Sequence, residues 1–206
     1  MQMLRILLLT LLVAWSASAA ATQRLLVLGD SLSAGYGLNA EQGWVGLLAA
    51  ELKAEGKAWE VVNASVSGET SSGGAARIAD ALARHQPAVV VIALGANDGL
   101  RGLAPDLLAA NLRRMAKAAT ATGARVLLVG IRIPPNYGPA YTRAFEGSFA
   151  NVAEELDLPL LPFLLEPIAA DERWFQGDRL HPTAEAQPLL LKHVRAALDP
   201  LLTGVP

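Results

Sequence analysis

Cysteine is absent from all 206 residues of the sequence, and this absence excludes several kinds of site. A chain without cysteine has no disulfide scaffold, no thiolate nucleophile and no zinc site built on thiolates. Attachment of a lipid to an N-terminal cysteine is excluded for the same reason. Any nucleophilic side chain must therefore act through oxygen or nitrogen.

An excess of positive charge is also lacking. The chain has 17 lysines and arginines against 19 aspartates and glutamates, and its formal net charge is -2. No basic run is long enough to hold a phosphate backbone, so we expect no nucleic-acid partner. The composition, 52% hydrophobic and 17% charged, fits one globular domain with a sizeable core.

The N-terminal hydrophobic run is too short to span a membrane. Residues 6–15, apolar except for Thr10, follow Arg5 and precede the small residues of an Ala17-Ser18-Ala19 pattern. This arrangement is typical of a cleavable export signal, whereas a membrane anchor needs about 20 apolar residues. We expect residues 1–19 to be a signal peptide. Residues 20–206 are then a single domain in the periplasm or medium, without stable membrane insertion.

What the sequence does contain is an alternation of two hydrophobic patterns. Short apolar runs predict five strands, at residues 24–28, 59–64, 88–94, 124–131 and 158–163. Apolar residues at helical spacing recur between and after them, in the sets Trp44, Leu47, Leu48, Leu52; Leu108, Leu112, Met115, Ala119; and Leu190, Val194, Ala197, Leu201. The alternation predicts an α/β fold, a three-layer α/β/α sandwich with a mostly parallel five-stranded sheet.

Clusters of glycine and small polar residues follow the first three predicted strands. They read GDSLSAG (29–35), SVSGET (65–70) and GANDG (95–99), and the last long loop carries GDRLHP (177–182). Because ligands of open parallel sheets bind outside the carboxyl ends of the strands, we expect these loops to converge. A dinucleotide fingerprint would need glycine where Ser31 and Ala34 stand, so nucleotide binding is disfavoured.

Ser31, in the first of these loops, has two interpretations. A serine at the start of a helix is a good N-cap, worth about 1 kcal/mol. A nucleophilic serine instead needs a base, and the base works best when a third group fixes its tautomer. His181 meets that need, because it lies in a loop three residues after Asp178. The other two histidines, His85 and His193, lie in helical patterns and have structural explanations.

An acyl-transfer site also needs donors for the oxyanion that forms on attack. The candidates are the backbone N–H groups of Ser31 and Gly68 and the side-chain amide of Asn97. Ordinary turn chemistry explains Gly68 and Asn97 equally well when each is taken alone. The occurrence of all four loops at one predicted sheet edge favours the acyl-transfer site.

These blocks resemble those of the SGNH hydrolases, the GDSL esterases and lipases: Ser31 in GDSLS, Gly68 in SVSGET, Asn97 in GAND and His181 in DRLHP. The resemblance extends from about Arg24 to the final helix and points to the exported bacterial thioesterase I, lysophospholipase and arylesterase branch. It implies a flavodoxin-like fold with Ser31 as nucleophile, His181 as base oriented by Asp178, the oxyanion donors named above, and no metal or cofactor. The G-x-S-x-G elbow of the common α/β-hydrolases is absent.

The resemblance further implies a small-molecule substrate and a monomeric enzyme. We expect carboxylic esters with aryl or short-to-medium acyl groups, and also acyl thioesters and lysophospholipids. Family loops that correspond to residues 99–105 and 133–141 line an acyl groove, which assigns Leu100, Leu103, Ile133, Pro134 and Tyr137 here, with Trp174 and Phe175 as further candidates. These residues equally fit a role in stiffening loops. A carbohydrate O-deacetylase and a non-catalytic acyl-binding module are the alternatives.

Overall fold

The computed structural model describes residues 22–203, so the predicted signal peptide lies outside the described residues. The described strands are β1 (Gln23–Gly29), β2 (Trp59–Asn63), β3 (Val89–Ala93), β4 (Arg125–Val129) and β5 (Leu160–Leu161). The α-helices are α1 (Ser31–Ala34), α2 (Trp44–Ala54), α3 (Ser71–His85), α4 (Ala96–Leu100), α5 (Pro105–Ala121), α6 (Pro139–Glu155) and α7 (Gln187–Thr203). Short 3₁₀ turns occur at Ala40–Gln42, Pro135–Tyr137, Glu172–Trp174 and Ala184–Ala186.

The five strands form one parallel sheet in the order β2-β1-β3-β4-β5. Every residue of the central strand β3, with the sequence VVVIA, is buried. Such an uninterrupted apolar strand is stable only where both faces of the sheet are covered. The predicted parallel five-stranded sheet is confirmed, in the strand order of flavodoxin.

The fifth strand is shorter than predicted. The apolar run 158–163 contributes only β5, in which Leu160 pairs with Leu128 and Leu161 with Val129. Pro159 and Pro162 flank this pair, and proline has no N–H to donate to a strand ladder. The edge strand therefore ends after two residues, although the hydrophobic pattern continues.

Helices cover the sheet in two groups and complete the predicted three layers. Helix α5 packs between α3 and α6, and α2 packs against α7. The predicted core positions are buried, except that Leu47, Ala197 and Leu201 are only partly buried at its edge. None of the helices within the described residues is long and apolar enough to cross a membrane.

The strand order determines where the loops meet. The chain leaves β1 for the edge strand β2 and then returns to the other side of β1 as β3. Outside the carboxyl ends of β1 and β3, where the direction of winding reverses, open α/β sheets form a crevice. Helix α1 begins directly after β1 and helix α4 follows β3, so both are placed at this crevice.

Candidate active site

Asp30, and not Ser31, is the N-cap of α1. The Asp30 carboxylate accepts a hydrogen bond from the backbone N–H of Leu32 at 3.0 Å. Ser31 is the first residue of the helix, so its hydroxyl is not used for capping. The interpretation of Ser31 as the cap is therefore wrong, because the neighbouring carboxylate already satisfies the helix terminus.

The Ser31 hydroxyl instead belongs to a chain of hydrogen bonds. His181 Nε2 lies 2.8 Å from Ser31 Oγ, although the two residues are 150 positions apart. On the other side of the imidazole ring, Nδ1 lies 2.6 Å from Asp178 Oδ2. The structure thus brings together the three residues that the sequence indicated, in one hydrogen-bonded chain of serine, histidine and aspartate.

The backbone around Asp178 stabilises its charged form. Asp178 Oδ1 accepts the N–H groups of Leu180 at 2.9 Å and His181 at 3.0 Å. The hydrogen bond from the His181 side chain, followed by these backbone donors, lowers the pKa of the Asp178 carboxyl to about 2. Asp178 is therefore ionised at neutral pH.

Gln176 fixes the loop that carries His181, a role for which the sequence shows no signal. Its backbone N–H donates to the His181 carbonyl at 2.7 Å. Its side-chain amide donates to the carbonyls of Tyr36 at 2.8 Å and Pro182 at 3.0 Å. The Tyr36 ring in turn lies 4.4 Å from the imidazole ring, centroid to centroid. Gln176 thereby connects the His181 loop to the loop that follows Ser31.

Gly68 and Asn97 lie beside Ser31 on the wall of one cavity. Gly68 has a φ of +81°, a conformation that glycine adopts without strain. Asn97 Nδ2 donates to the Glu69 carbonyl at 3.0 Å, which uses one of its two N–H groups and leaves the other. Arg101 Nη2 donates to the Gly68 carbonyl at 3.0 Å. The loop of Gly68 and the start of α4 are therefore held against each other.

A buried carboxylate reinforces this contact from behind. Asp98, 1% exposed, accepts hydrogen bonds from the N–H of Ser71 at 2.7 Å and from its hydroxyl at 2.6 Å. The contact joins the first residue of α3 to α4 and fixes the segment that carries Gly68 relative to Asn97. In the sequence, only the position of Asp98 beside Asn97 indicated a role for Asp98. That position does not distinguish a buried carboxylate from an exposed turn residue.

The Asp30 side chain is only 2% exposed, although it lies in a loop, and its burial changes its pKa. Burial raises the pKa of its carboxyl from 3.8 to about 6, against the lowering effects of the Leu32 N–H and of His181. A carboxyl with a raised pKa contributes its stabilisation fully below pH 3.8, and the folded state loses that contribution as the pH rises through about 6.

We therefore expect Asp30→Asn to remove this loss while retaining the N-cap, since asparagine caps as well as aspartate. The free energy of unfolding of the variant minus that of the wild type should increase by about 2 to 3 kcal/mol between pH 4 and pH 7. Denaturant titrations of both proteins at several pH values measure this difference, in which the titrating groups that do not interact with Asp30 cancel. A difference that stays constant with pH would contradict the assignment.

The cavity beside Ser31 has a volume of about 420 Å³. Its wall is mostly apolar and is formed by Ser31, Leu32, Tyr36, Ser67, Gly68, Ala96, Asn97, Leu100, Ile131, Arg132, Ile133, Pro134, Leu165, Phe175, Arg179, Leu180 and His181. Three of the five proposed acyl-groove residues, Leu100, Ile133 and Pro134, belong to this wall.

Leu103 and Tyr137 do not line the cavity, and neither does Trp174. The Tyr137 hydroxyl donates to the Leu100 carbonyl at 2.9 Å, and the Leu103 carbonyl accepts the Tyr141 hydroxyl at 2.8 Å. These contacts join the two loops behind the wall. Leu103 and Tyr137 therefore hold the two loops together behind the cavity wall.

The two remaining histidines have the structural roles expected from their patterns. His85 is the last residue of α3, and its carbonyl accepts a hydrogen bond from Arg24 at 3.2 Å. His193 lies within α7, and its Nε2 atom is 3.0 Å from the Phe163 carbonyl oxygen. Neither residue lines the cavity that contains Ser31.

A parallel α/β sheet with a hydrogen-bonded Ser-His-Asp chain at its carboxyl edge defines the class of the protein as a serine hydrolase. The chain matches the GDSL-like Lipase/Acylhydrolase family over residues 27–188 and belongs to this family. The resemblance to the SGNH hydrolases is thereby confirmed.

Curated relatives and a solved structure agree with this membership. The chain is 52% identical over 183 residues to Esterase TesA of Pseudomonas aeruginosa, covering 89% of this chain and 91% of the relative. It is 43% identical over 184 residues to Thioesterase 1/protease 1/lysophospholipase L1 of Escherichia coli K12, covering 89% and 87%. The structure of the psychrotrophic esterase EstA from Pseudoalteromonas sp., inhibited by monoethylphosphonate, superposes with a TM-score of 0.84 at 41% identity, covering 88% and 100%.

Proposed function

We propose that Ser31, His181 and Asp178 are the nucleophile, the general base and the orienting carboxylate of a carboxylic ester hydrolase. The observation that carries this proposal is the continuous chain from Asp178 Oδ2 to His181 Nδ1, at 2.6 Å, and from His181 Nε2 to Ser31 Oγ, at 2.8 Å. Both distances are short enough for a hydrogen bond, which a proton transfer between the two groups requires. Hydrolysis of acyl groups is also the activity for which the family is named.

In the first half of the reaction, Ser31 Oγ attacks the carbonyl carbon while His181 Nε2 takes the hydroxyl proton. The bond from the carbonyl carbon to the leaving oxygen or sulfur then breaks, and His181 gives its proton to the leaving group. The acyl group remains on Ser31 Oγ as an ester. Asp178, ionised throughout because its pKa is about 2, stabilises the imidazolium between these steps.

In the second half, a water molecule attacks the acyl ester as His181 takes one of its protons. The bond between the acyl carbon and Ser31 Oγ breaks, and the proton returns to Ser31. The carboxylic acid leaves the cavity. Negative charge develops on the carbonyl oxygen in both halves, and the N–H groups of Ser31 and Gly68 and the amide of Asn97 are its proposed donors.

The apolar wall of the cavity supports the proposal that the acyl chain of the substrate binds beside Ser31. Its volume of about 420 Å³ lies in the range of small-molecule sites. Each buried CH₂ group is worth about 0.8 kcal/mol. We therefore propose aryl and short-to-medium acyl esters as substrates, with acyl thioesters and lysophospholipids as further ones. A wall this apolar favours acyl chains over the acetyl groups of a carbohydrate.

The cellular context of the enzyme follows from the N-terminal pattern. An apolar run with the Ala17-Ser18-Ala19 cleavage pattern supports export and removal of residues 1–19. We propose that the mature enzyme is a monomer in the periplasm or the medium, acting on small-molecule substrates.

A series of p-nitrophenyl esters with increasing acyl length tests the substrate proposal. We expect kcat/KM to rise about fourfold for each added CH₂ until the cavity is filled, from the free energy of burying that group. Leu100→Ala should flatten this dependence, because Leu100 lines the cavity. Leu107→Ala is the matched control, since Leu107 is a similarly exposed leucine outside the cavity.

Two outcomes would contradict the proposal. Preference for acetyl esters, together with release of acetate from acetylated xylan, would favour the deacetylase. A folded protein that hydrolyses no ester and gains no mass at Ser31 from an organophosphonate would indicate the non-catalytic acyl-binding module.

A further inference from the structure

The contact between Asp178 and His181 is fixed within one short segment, residues 175–182. Hydrogen bonds close this segment on itself: the Gln176 N–H donates to the His181 carbonyl at 2.7 Å, and Asp178 accepts the His181 N–H at 3.0 Å. An isolated antiparallel bridge joins the first and last residues of the segment. These contacts are local, so they set the geometry of the Asp178–His181 pair without setting its distance from Ser31.

Ser31 lies on a different loop, and few polar contacts join the two. Among the described residues, two hydrogen bonds connect the segment 175–182 to positions before 172. One is the contact of His181 Nε2 with Ser31 Oγ at 2.8 Å, which changes at every step of the proposed reaction. The other runs from Gln176 Nε2 to the Tyr36 carbonyl at 2.8 Å. Gln176 therefore makes the polar contact between the loops that takes no part in proton transfer.

The Gln176 amide donates to one backbone carbonyl on each side of the gap. It binds the Tyr36 carbonyl, in the loop after the nucleophile, and the Pro182 carbonyl, one residue after the base, at 3.0 Å. A glutamine amide has two N–H groups on one nitrogen, and no other uncharged side chain of this length has them. The same planar group thus fixes the end of the His181 segment relative to the loop that follows Ser31.

The turn opposite Gln176 is shaped to receive this amide. A Cβ atom on Gly37 would overlap the Oε1 atom of Gln176. Gly37 also has a φ of +76°, which glycine adopts without strain. The preceding residue, Tyr36, contributes its carbonyl to the amide and its ring to the contact with the imidazole of His181. The two loops are therefore complementary around Gln176.

We propose that Gln176 is a positioning residue of the reaction, which holds His181 Nε2 within hydrogen-bond distance of Ser31 Oγ through its bond to the Tyr36 carbonyl. The inference rests on the proposed hydrolase function and adds to it a residue that does not line the cavity. A general base must lie within about 3.2 Å of the atom whose proton it takes. A misplacement of about 1 Å can lower a rate by about 10²-fold.

Gln176→Met tests this role, because methionine has a similar length and no N–H donor. For a p-nitrophenyl ester we expect kcat to fall by about 10- to 100-fold, from the lost alignment, and KM to change less than about twofold. The pH at which kcat/KM is half-maximal should not move, because Asp178 contacts His181 within the same segment. Gln42→Met is the matched control and should leave kcat unaltered. The Gln42 side chain accepts the Asn39 N–H at 3.0 Å, also outside the cavity.

The His181→Ala background separates positioning from damage to the fold. If Gln176 acts through the imidazole, Gln176→Met should change the residual rate of His181→Ala by less than about twofold, since no base remains to be positioned. Single-turnover reactions with excess enzyme measure these slow rates. Gln176→Asn completes the series: it keeps the donors but is one CH₂ group shorter, so it cannot reach both carbonyls. We expect its kcat to lie between those of the wild type and Gln176→Met.

Four results would overturn the positioning role. They are a kcat of Gln176→Met within about twofold of the wild type, a rise in KM without a fall in kcat, a shift of the half-maximal pH, and an equal loss in the wild-type and His181→Ala backgrounds. Absence of ester hydrolysis by the folded wild type, or a His181→Ala variant with the wild-type kcat, would contradict the proposed function instead.

Discussion

Replacing His181 with alanine is expected to lower kcat for p-nitrophenyl esters by about 10⁴ to 10⁶, with little change in KM. His181 is the only described imidazole within hydrogen-bond distance of the Ser31 hydroxyl, at 2.8 Å. Without it, the serine keeps its proton at the moment of attack and the leaving group receives none. The oxyanion donors and the cavity remain, so substrate binding and a small residual rate should persist. Steady-state kinetics with active-site titration measure both parameters.

The matched control is His85→Gln, which changes a histidine outside the cavity and should leave kcat unaltered. Asp178→Asn should lower kcat by about 10⁴, the lower end of the range for His181→Ala, because an amide at this position favours the wrong imidazole tautomer. If His181→Ala retains more than a tenth of the wild-type kcat while circular dichroism shows it to be folded, His181 is not the base.

Asn97→Ala is expected to lower kcat by about 10² to 10³, again with KM almost unchanged, as loss of a single oxyanion donor does in other acyl-transfer enzymes. The amide of Asn97 faces the cavity that contains Ser31 and is oriented by the Glu69 carbonyl at 3.0 Å. We expect the remaining N–H of Asn97 to donate a stronger hydrogen bond to the substrate oxygen once negative charge develops there. The effect should therefore fall on the chemical step.

Asn111→Ala is the control for this experiment. Asn111 also donates through its side-chain amide, to the hydroxyls of Ser71 at 2.9 Å and Ser72 at 3.0 Å, but it does not line the cavity. We expect its loss to change kcat by less than about threefold, since it removes no donor from the oxyanion. Equal losses in the two variants would mean that Asn97 acts by holding the loop and not as a donor.

The fold was predictable because the strands of a parallel sheet covered on both faces are continuous apolar runs, which are visible in the sequence. Strand β3 is apolar at all five positions, and the intervening helices show their own period. The error concerned the extent of the edge strand, β5, where Pro159 and Pro162 limit pairing to two residues. A hydrophobic run predicts that a segment is buried. A strand also requires backbone N–H groups that donate to its neighbour, and proline has none.

Part of the candidate site was predictable for a different reason. Asp178 and His181 lie three residues apart, so their contact is local and is visible in the chain. The contact of His181 with Ser31 joins residues 150 positions apart, and only the common location of the loops at one sheet edge suggested it. Gln176 was missed, because its role depends on which loop lies opposite.

The sequence by itself determined the order of strands and helices, the absence of thiol chemistry and the residue types available at the sheet edge. Only the tertiary structure decided that Asp30 caps α1, that Tyr137 supports the wall from behind, and that Arg132 and Arg179 line the cavity. The physical reason is the range of the interactions. Periodicity and turn chemistry act over a few neighbouring residues, whereas the direction of a side chain in a cavity depends on loops that the whole sheet brings together.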